Sequence, residues 1–228
     1  MTDENIAEIT NHLDLFSGIG GFALAACWCG FNTVGFSEID PYASAVLKKN
    51  FPTIKNYGDI RTITRQSVPE RIEIITGGFP CQPFSTAGKR RGKEDHRDLW
   101  PEMFRVIKEF KPTWVLGENV AGFVNMELDR TITDLEAEGY EVQPLIIPAC
   151  AVGAPHRRDR VWIVAHADGN RWKTGKVLSA ETGERGQYDF PSYILTGGDK
   201  NLVPNPGVLE WMMGYPIGWT DCTDSETP

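Results

Sequence analysis

Long apolar runs are missing from this chain of 228 residues: none approaches the roughly 20 needed to cross a bilayer, so no membrane-spanning helix is expected within it. The opening stretch MTDENIAEIT is acidic, unlike a signal or transit peptide, and a cytoplasmic location, in a bacterial or phage-infected host cell, is the expectation. Cysteine is scarce, with 5 residues, an odd number at no zinc-ligand spacing. Cys27 and Cys29 stand two apart in a helix-like run and point to different faces, so neither a disulfide framework nor a metal centre is expected. An excess of positive charge is also lacking. The net charge of -8 argues against indiscriminate affinity for polyanions, because phosphate binding relies on Lys and Arg.

What is present is a composition of 41% hydrophobic and 24% charged residues, enough for a compact core. Residues 13–16 read as a buried strand, Ser17-Gly18-Ile19-Gly20-Gly21 as a glycine loop, and residues 22–30 as an apolar helix. The alternation continues with strands at 33–37, 72–76 and 113–116 and helices at 42–50, 99–110 and 125–138. Strands at 141–147 and 161–165 suit a reversed final hairpin. The pattern predicts an α/β fold with a doubly wound, mostly parallel sheet. Residues 168–204 are rich in Gly, Thr, Lys and Glu without sustained periodicity and read as a small insert. Residues 205–213 then look helical, with Pro206 in the first turn. The expected division is a catalytic and cofactor-binding unit over 1–167, a short recognition insert over 168–204, and a C-terminal helix and tail over 205–228.

Glycines after a first strand let backbone approach a ligand closely, and the following helix offers free N–H groups. Taken alone, that loop suits a nucleotide or simply a packed turn. Glu38, at the end of the second strand, is placed to accept both hydroxyls of a ribose, and Asp59 to accept an adenine amino group. Together the three features favour an adenosine-containing cofactor.

A second group is more unusual. GFPCQPFS, residues 78–85, holds Cys81 between Pro80 and Pro83, directly before the basic run GKRRGK. Packing of a lone thiol and chemistry on a nucleic acid both remain open on these residues alone. Further on, Glu118 follows an apolar strand in GENV, and Arg158 and Arg160 alternate before Val161, which on a strand would turn both guanidinium groups to one side.

With DLFSGIGGF, GGFPCQPFS, ENV and RRDRVWIVA in this order, the sequence resembles the DNA (cytosine-5)-methyltransferases, from Leu13 to about Ala165 and again at NPGVLEWMMGYPIGWT, a form similar to that of phage and prophage members. The resemblance implies a Rossmann-like methyltransferase fold, S-adenosylmethionine as cofactor, and a cytosine flipped out of double-stranded DNA. It implies a cofactor pocket of Phe16, Ser17, Gly18, Gly20, Glu38, Ile39, Asp59, Ile60 and Pro80, with Phe16 supplying most of the stacking on adenine. Cys81 becomes the nucleophile that adds to carbon 6 of the base, Glu118 the acid at ring nitrogen 3, Arg160 a donor to the cytosine carbonyl, and Arg158 an orienting group. Gln82, Ser85, Lys89, Arg90, Arg91 and Lys93 become a DNA-binding loop, the basic residues on phosphates and Gln82 or Ser85 near the space left by the base. Arg171, Trp172, Lys173 and Lys176 are further candidates for DNA contact, and no metal is implied.

Two departures from the family pattern stand out. The insert over 168–204 is near the minimum for an independent module, which points to short or relaxed target specificity. The helix carrying Gly-Asn that returns to the cofactor site in many members is not found after Trp219-Thr220. The leading expectation is an active monomeric enzyme, the alternatives an inactive or partner-dependent DNA-binding homologue with a helper chain and, ranked lower, an RNA methyltransferase.

Overall fold

The computed structural model describes residues 10–80, 98–167, 215–216 and 219–220. In chain order the elements are β1 (Asn11–Leu15), α1 (Gly21–Trp28), β2 (Asn32–Ser37), α2 (Pro41–Asn50), β3 (Lys55–Asn56), β4 (Ile74–Gly77), α3 (Trp100–Phe110), β5 (Trp114–Val120), α4 (Leu128–Ala137), β6 (Glu141–Pro148) and β7 (Asp159–His166). The insert over 168–204 and the helix expected at 205–213 lie outside the described residues.

The strands form one sheet in the order β3-β2-β1-β4-β5-β7-β6. Strands β1 to β5 pair in parallel, and β7 runs antiparallel between β5 and β6, which is the reversed hairpin expected at this end. After β1 the chain moves outward to β2 and β3, then returns to the other side of β1 to form β4. The strand order therefore reverses between β1 and β4, and in open sheets of this kind the crevice beyond the carboxyl ends at that point is where ligands bind.

Local chemistry explains the helices that frame the crevice. At α2, Asp40 caps the first turn by accepting from Ala43 N at 2.8 Å, Pro41 starts the helix, and Lys48 and Lys49 lie in the last turn. Helix α3 buries Trp100, Met103, Val106, Ile107 and Phe110 along one stripe and stops where Lys111 turns left-handed at φ 48 ahead of Pro112. That stripe packs with Leu13, Leu15, Ile75, Val115, Val161 and Ile163 in the main core. A smaller cluster of Ala23, Phe36 and Leu47 joins α1 and α2 to the sheet's other face.

Several boundaries differ from expectation. Strand β1 ends at Leu15, because Phe16 has φ 54 and leaves the sheet. Strand β5 runs on to Val120, carrying Glu118 inside the strand instead of after it, because β7 pairs along its whole length from Trp114↔His166 to Val120↔Arg160. The helix expected from residue 125 starts at Leu128, after a 3-10 turn over Ala121–Asn125. The two-residue β3 was not anticipated.

Candidate active site

The loop after β1 is shaped by backbone more than by side chains. Phe16, Gly18 and Gly20 all have positive φ, at 54, 53 and 90. A Cβ on Gly18 would meet nothing within 4 Å, so the space beside that glycine is open, whereas one on Gly20 would lie 2.8 Å from the Phe51 ring. Gly20 is thus required by both conformation and packing. The Ser17 hydroxyl donates to the Asp14 carbonyl at 2.7 Å and Ser17 N to the Ser37 carbonyl at 3.1 Å, tying the loop to the end of β2.

Glu38 follows β2 and faces this loop. Its Oε2 accepts from Gly18 N at 2.8 Å and its Oε1 from Asp40 N at 2.7 Å. Asn56, on β3, locks the same turn: its Oδ1 accepts from Glu38 N at 3.1 Å and Gly58 N at 3.0 Å, and its Nδ2 donates to the Glu38 carbonyl at 3.0 Å. Asn56 is a positioning residue that the sequence did not flag, since its strand is too short to show periodicity. Asp59 begins the next turn and accepts from Arg61 N and Nε, both at 3.0 Å. The Arg61 backbone amide, with lesser help from its guanidinium, holds the Asp59 carboxyl below its ordinary value. Ile39 is 67% exposed and Phe16 is partly buried against the main core. The Ile60 side chain lies in that core, 3% exposed, so any contact of Ile60 with a ligand has to come from its backbone.

Beneath the loop, β1 and β4 carry a buried polar chain that sequence reasoning missed. His12, Asp14 and Thr76 sit on one face of the paired strands, with Asp14 opposite Thr76 in register. The Thr76 hydroxyl donates to Asp14 Oδ1 at 2.8 Å, so its oxygen accepts from His12 Nε2 at 2.8 Å, and His12 Nδ1 is left to accept from Thr33 Oγ1 at 2.9 Å. This is a neutral imidazole in one tautomer. Burial lowers His12 to about 4 and raises Asp14 to about 7, against the Thr76 hydrogen bond that favours the Asp14 carboxylate. Asp14 Oδ2 is buried without a hydrogen-bond partner.

The second half of the site lies at the ends of β4, β5 and β7. Glu118 Oε1 pairs with Arg160 Nε at 2.7 Å, across strands β5 and β7. A Cβ on Gly78 would lie 3.3 Å from Glu118 Oε2, so the glycine lets the carboxyl reach the backbone that leads into Phe79 and Pro80. Burial raises the Glu118 pKa, outweighing Arg160 and Arg158, which act in the opposite sense. Asn119 points the other way, buried, and donates to the Phe79 carbonyl at 3.0 Å, fastening β5 to the segment before Cys81. Pro80 is exposed at the edge of this site.

The arginines do not share a strand as expected. Strand β7 starts at Asp159, and Arg158 has φ 37, a left-handed conformation that breaks the alternation. Arg158 is exposed, close enough to act on Glu118 electrostatically, while Arg160 makes the contact. Arg157 pairs with Asp159 at 3.0 Å. Cys81, Gln82, Ser85, Lys89, Arg90, Arg91 and Lys93 lie outside the described residues, as do Arg171, Trp172, Lys173 and Lys176. Among the described residues no cluster of His, Cys, Asp and Glu suits a metal ion.

The arrangement places a fixed acceptor carboxylate, an open glycine loop and a half-buried carboxyl beside a guanidinium on one sheet edge. Comparison with known proteins agrees with it. A family model described as C-5 cytosine-specific DNA methylase matches residues 10–195. The chain is 37% identical over 171 residues to the type II methyltransferase M.HpaII of Haemophilus parainfluenzae, covering 72% of this chain and 48% of that protein. It is 33% identical over 215 residues to the type II methyltransferase M.MspI of Moraxella sp, covering 85% and 51%. A crystal structure of a Spodoptera frugiperda DNMT2 mutant superimposes with a TM-score of 0.63 at 27% identity, over 73% of this chain and 53% of that one. The chain spans about half the length of these curated relatives.

Proposed function

From a chain that belongs to the C-5 cytosine-specific DNA methylase family, we propose methyl transfer from S-adenosylmethionine to carbon 5 of cytosine in double-stranded DNA. The observation that carries this reading is the Glu118–Arg160 pair, which stands against Gly78 three residues before Cys81 in the chain. S-adenosylmethionine supplies an electrophilic methyl group on a sulfonium. The pocket suits it: Gly18 leaves open space, and Glu38 is held by amides as a pure acceptor for ribose hydroxyls. Phe16, Ser17, Gly20, Ile39, Asp59, Pro80 and the Ile60 backbone complete the proposed surround.

Carbon 5 of cytosine is a poor nucleophile until a group adds at carbon 6. In the proposed sequence the Cys81 thiolate bonds to carbon 6 and the displaced π electrons move to ring nitrogen 3, where the Glu118 proton is received. Burial supports Glu118 as that donor, because it favours the protonated carboxyl. Arg160 donates to the cytosine carbonyl oxygen and Arg158 orients the base. After transfer the carbon-5 proton leaves to water, the Cys81 sulfur departs with its electron pair, the proton on ring nitrogen 3 returns to Glu118, and the aromatic base is restored.

Lys89, Arg90, Arg91 and Lys93 hold DNA phosphates in this reading, Gln82 or Ser85 lies near the space left by the flipped base, and residues 168–204 choose the target. The enzyme acts as a monomer in the cytoplasm. The test is transfer of tritiated methyl groups to duplex DNA alongside Cys81→Ser, with trapping on DNA containing 5-fluorocytosine. Transfer and a covalent complex by the wild type, both lost in the variant, are expected; neither by the wild type sinks the mechanism. Bisulfite sequencing of methylated plasmid addresses specificity, where a single strict site of five or more bases would count against a relaxed target.

A further inference from the structure

The described residues nearest the C-terminus, 215–216 and 219–220, return to the cofactor loop. The Trp219 indole N–H donates to the Ile19 carbonyl at 2.7 Å, and Ile19 lies between the left-handed Gly18 and Gly20. The Trp219 ring is buried, 8% exposed, edge-on to Phe51 at 5.7 Å and stacked on Tyr215 at 5.6 Å. Tyr215 in turn seats its hydroxyl at the start of α1, 2.5 Å from where a Cβ on Gly21 would stand, so only glycine admits it there. Helix α2 clasps the same residues from the other side, with Tyr42 Oη donating to the Thr220 carbonyl at 2.9 Å and Asn50 Nδ2 to the Trp219 carbonyl at 3.0 Å. Three residues far in sequence from the loop, Tyr215, Trp219 and Thr220, are thus tied to its backbone and to the two helices beside it.

We propose that Tyr215 and Trp219 are positioning residues for the methyl donor, acting through the loop from Ser17 to Gly21. A loop with several left-handed residues has many unfolded alternatives, and Gly18 N must point at Glu38 for the ribose acceptor to be set. A hydrogen bond to the Ile19 carbonyl holds the Ile19–Gly20 peptide, two peptide units on from the one that carries Gly18 N, and so restrains the loop from outside the pocket. Tyr215 adds a link to the buried chain below: burial first, and then the Asp14 carboxylate, hold its phenol above the ordinary value.

The inference rests on the methyl-donor reading and is tested by titrating the full chain with S-adenosylhomocysteine in a calorimeter. Trp219→Phe keeps a ring but loses the indole donor, and about three- to tenfold weaker binding is expected from one lost hydrogen bond. Tyr42→Phe removes only the bond to Thr220 from a half-exposed ring and should weaken binding by about twofold. Both variants should keep the wild-type KM for DNA. A lower melting temperature with unchanged affinity in both would mean that the segment only packs, and unchanged values throughout would overturn the inference equally; either result leaves the methyl-transfer reading standing. Absence of binding by the wild type overturns both.

Discussion

Glu38 and Glu118 sit at the same edge of one sheet, yet their surroundings give them different work. Glu38 is met by the amides of Gly18 and Asp40, groups that only donate, so both its oxygens are held as acceptors. Glu118 is half-buried inside β5, where loss of water raises its pKa against the pull of Arg160 and Arg158. The first is suited to receive hydroxyl protons in hydrogen bonds, the second to give a proton away. Residue type is identical; backbone donors and burial make the distinction.

The sharpest way to break this contrast is Glu118→Gln. Turnover should fall by about 10²- to 10⁴-fold, the contribution of a positioned acid, while the affinity for S-adenosylhomocysteine stays at the wild-type level. Glu38→Gln should do the reverse, weakening S-adenosylhomocysteine by roughly 10- to 100-fold, because an amide facing Gly18 N or Asp40 N leaves a donor unsatisfied. Were Glu38→Gln to lower turnover of the saturated enzyme and spare affinity, the two roles would have to be exchanged.

The buried chain under the loop yields a pH test. His12, lowered to about 4, contributes stability that is present above its unfolded pKa near 6.5 and lost as pH falls toward 4. Asp14, raised to about 7, has the opposite sign: its contribution is present at low pH and is lost as pH rises from about 4 to 7. Between about pH 4 and 6.5 the folded state takes a proton onto Asp14 and gives one up at His12, so these slopes cancel. In Asp14→Asn the cancellation is gone. Denaturant melts of this variant should therefore gain a slope of about 1.4 kcal/mol per pH unit over that window relative to the wild type, stability falling toward acid. Identical slopes in the two proteins would mean that His12 and Asp14 do not offset one another over this window.

The smallest expected effect is at the loop itself. Gly18→Ala has room for its methyl but must hold φ at 53, which should cost about 1 kcal/mol in a melt and reduce S-adenosylhomocysteine binding only a few-fold. A large loss of stability there would mean that the open space beside Gly18 is filled.

Much of this was legible in the chain. Alternation of short apolar runs with helical stripes announced the α/β sheet, and the glycines after β1 announced the loop, because both signals are local. What escaped was non-local. Strand β5 continues through Glu118 and Asn119 only because β7 pairs with it, and nothing polar in GENV predicts that partner. Alternation makes Arg158 the strand neighbour of Arg160, an arrangement that one left-handed residue cancels. The polar pair His12 and Asp14, two apart on a central strand, did carry a signal, since such positions are expected to be apolar unless they bond across the sheet.

By itself the sequence determined the alternation of the longer strands and helices, the glycine loop after the first strand, and the candidate set of reactive side chains, since each depends on residues within a few positions of one another. Tertiary structure alone decided which carboxyl is half-buried beside a guanidinium and which is held by amides, that Arg160 and not Arg158 grips Glu118, and that Trp219 closes on Ile19. The reason is physical: pairing, burial and the hydrogen bonds they force act between residues up to 200 positions apart, where no local pattern reaches.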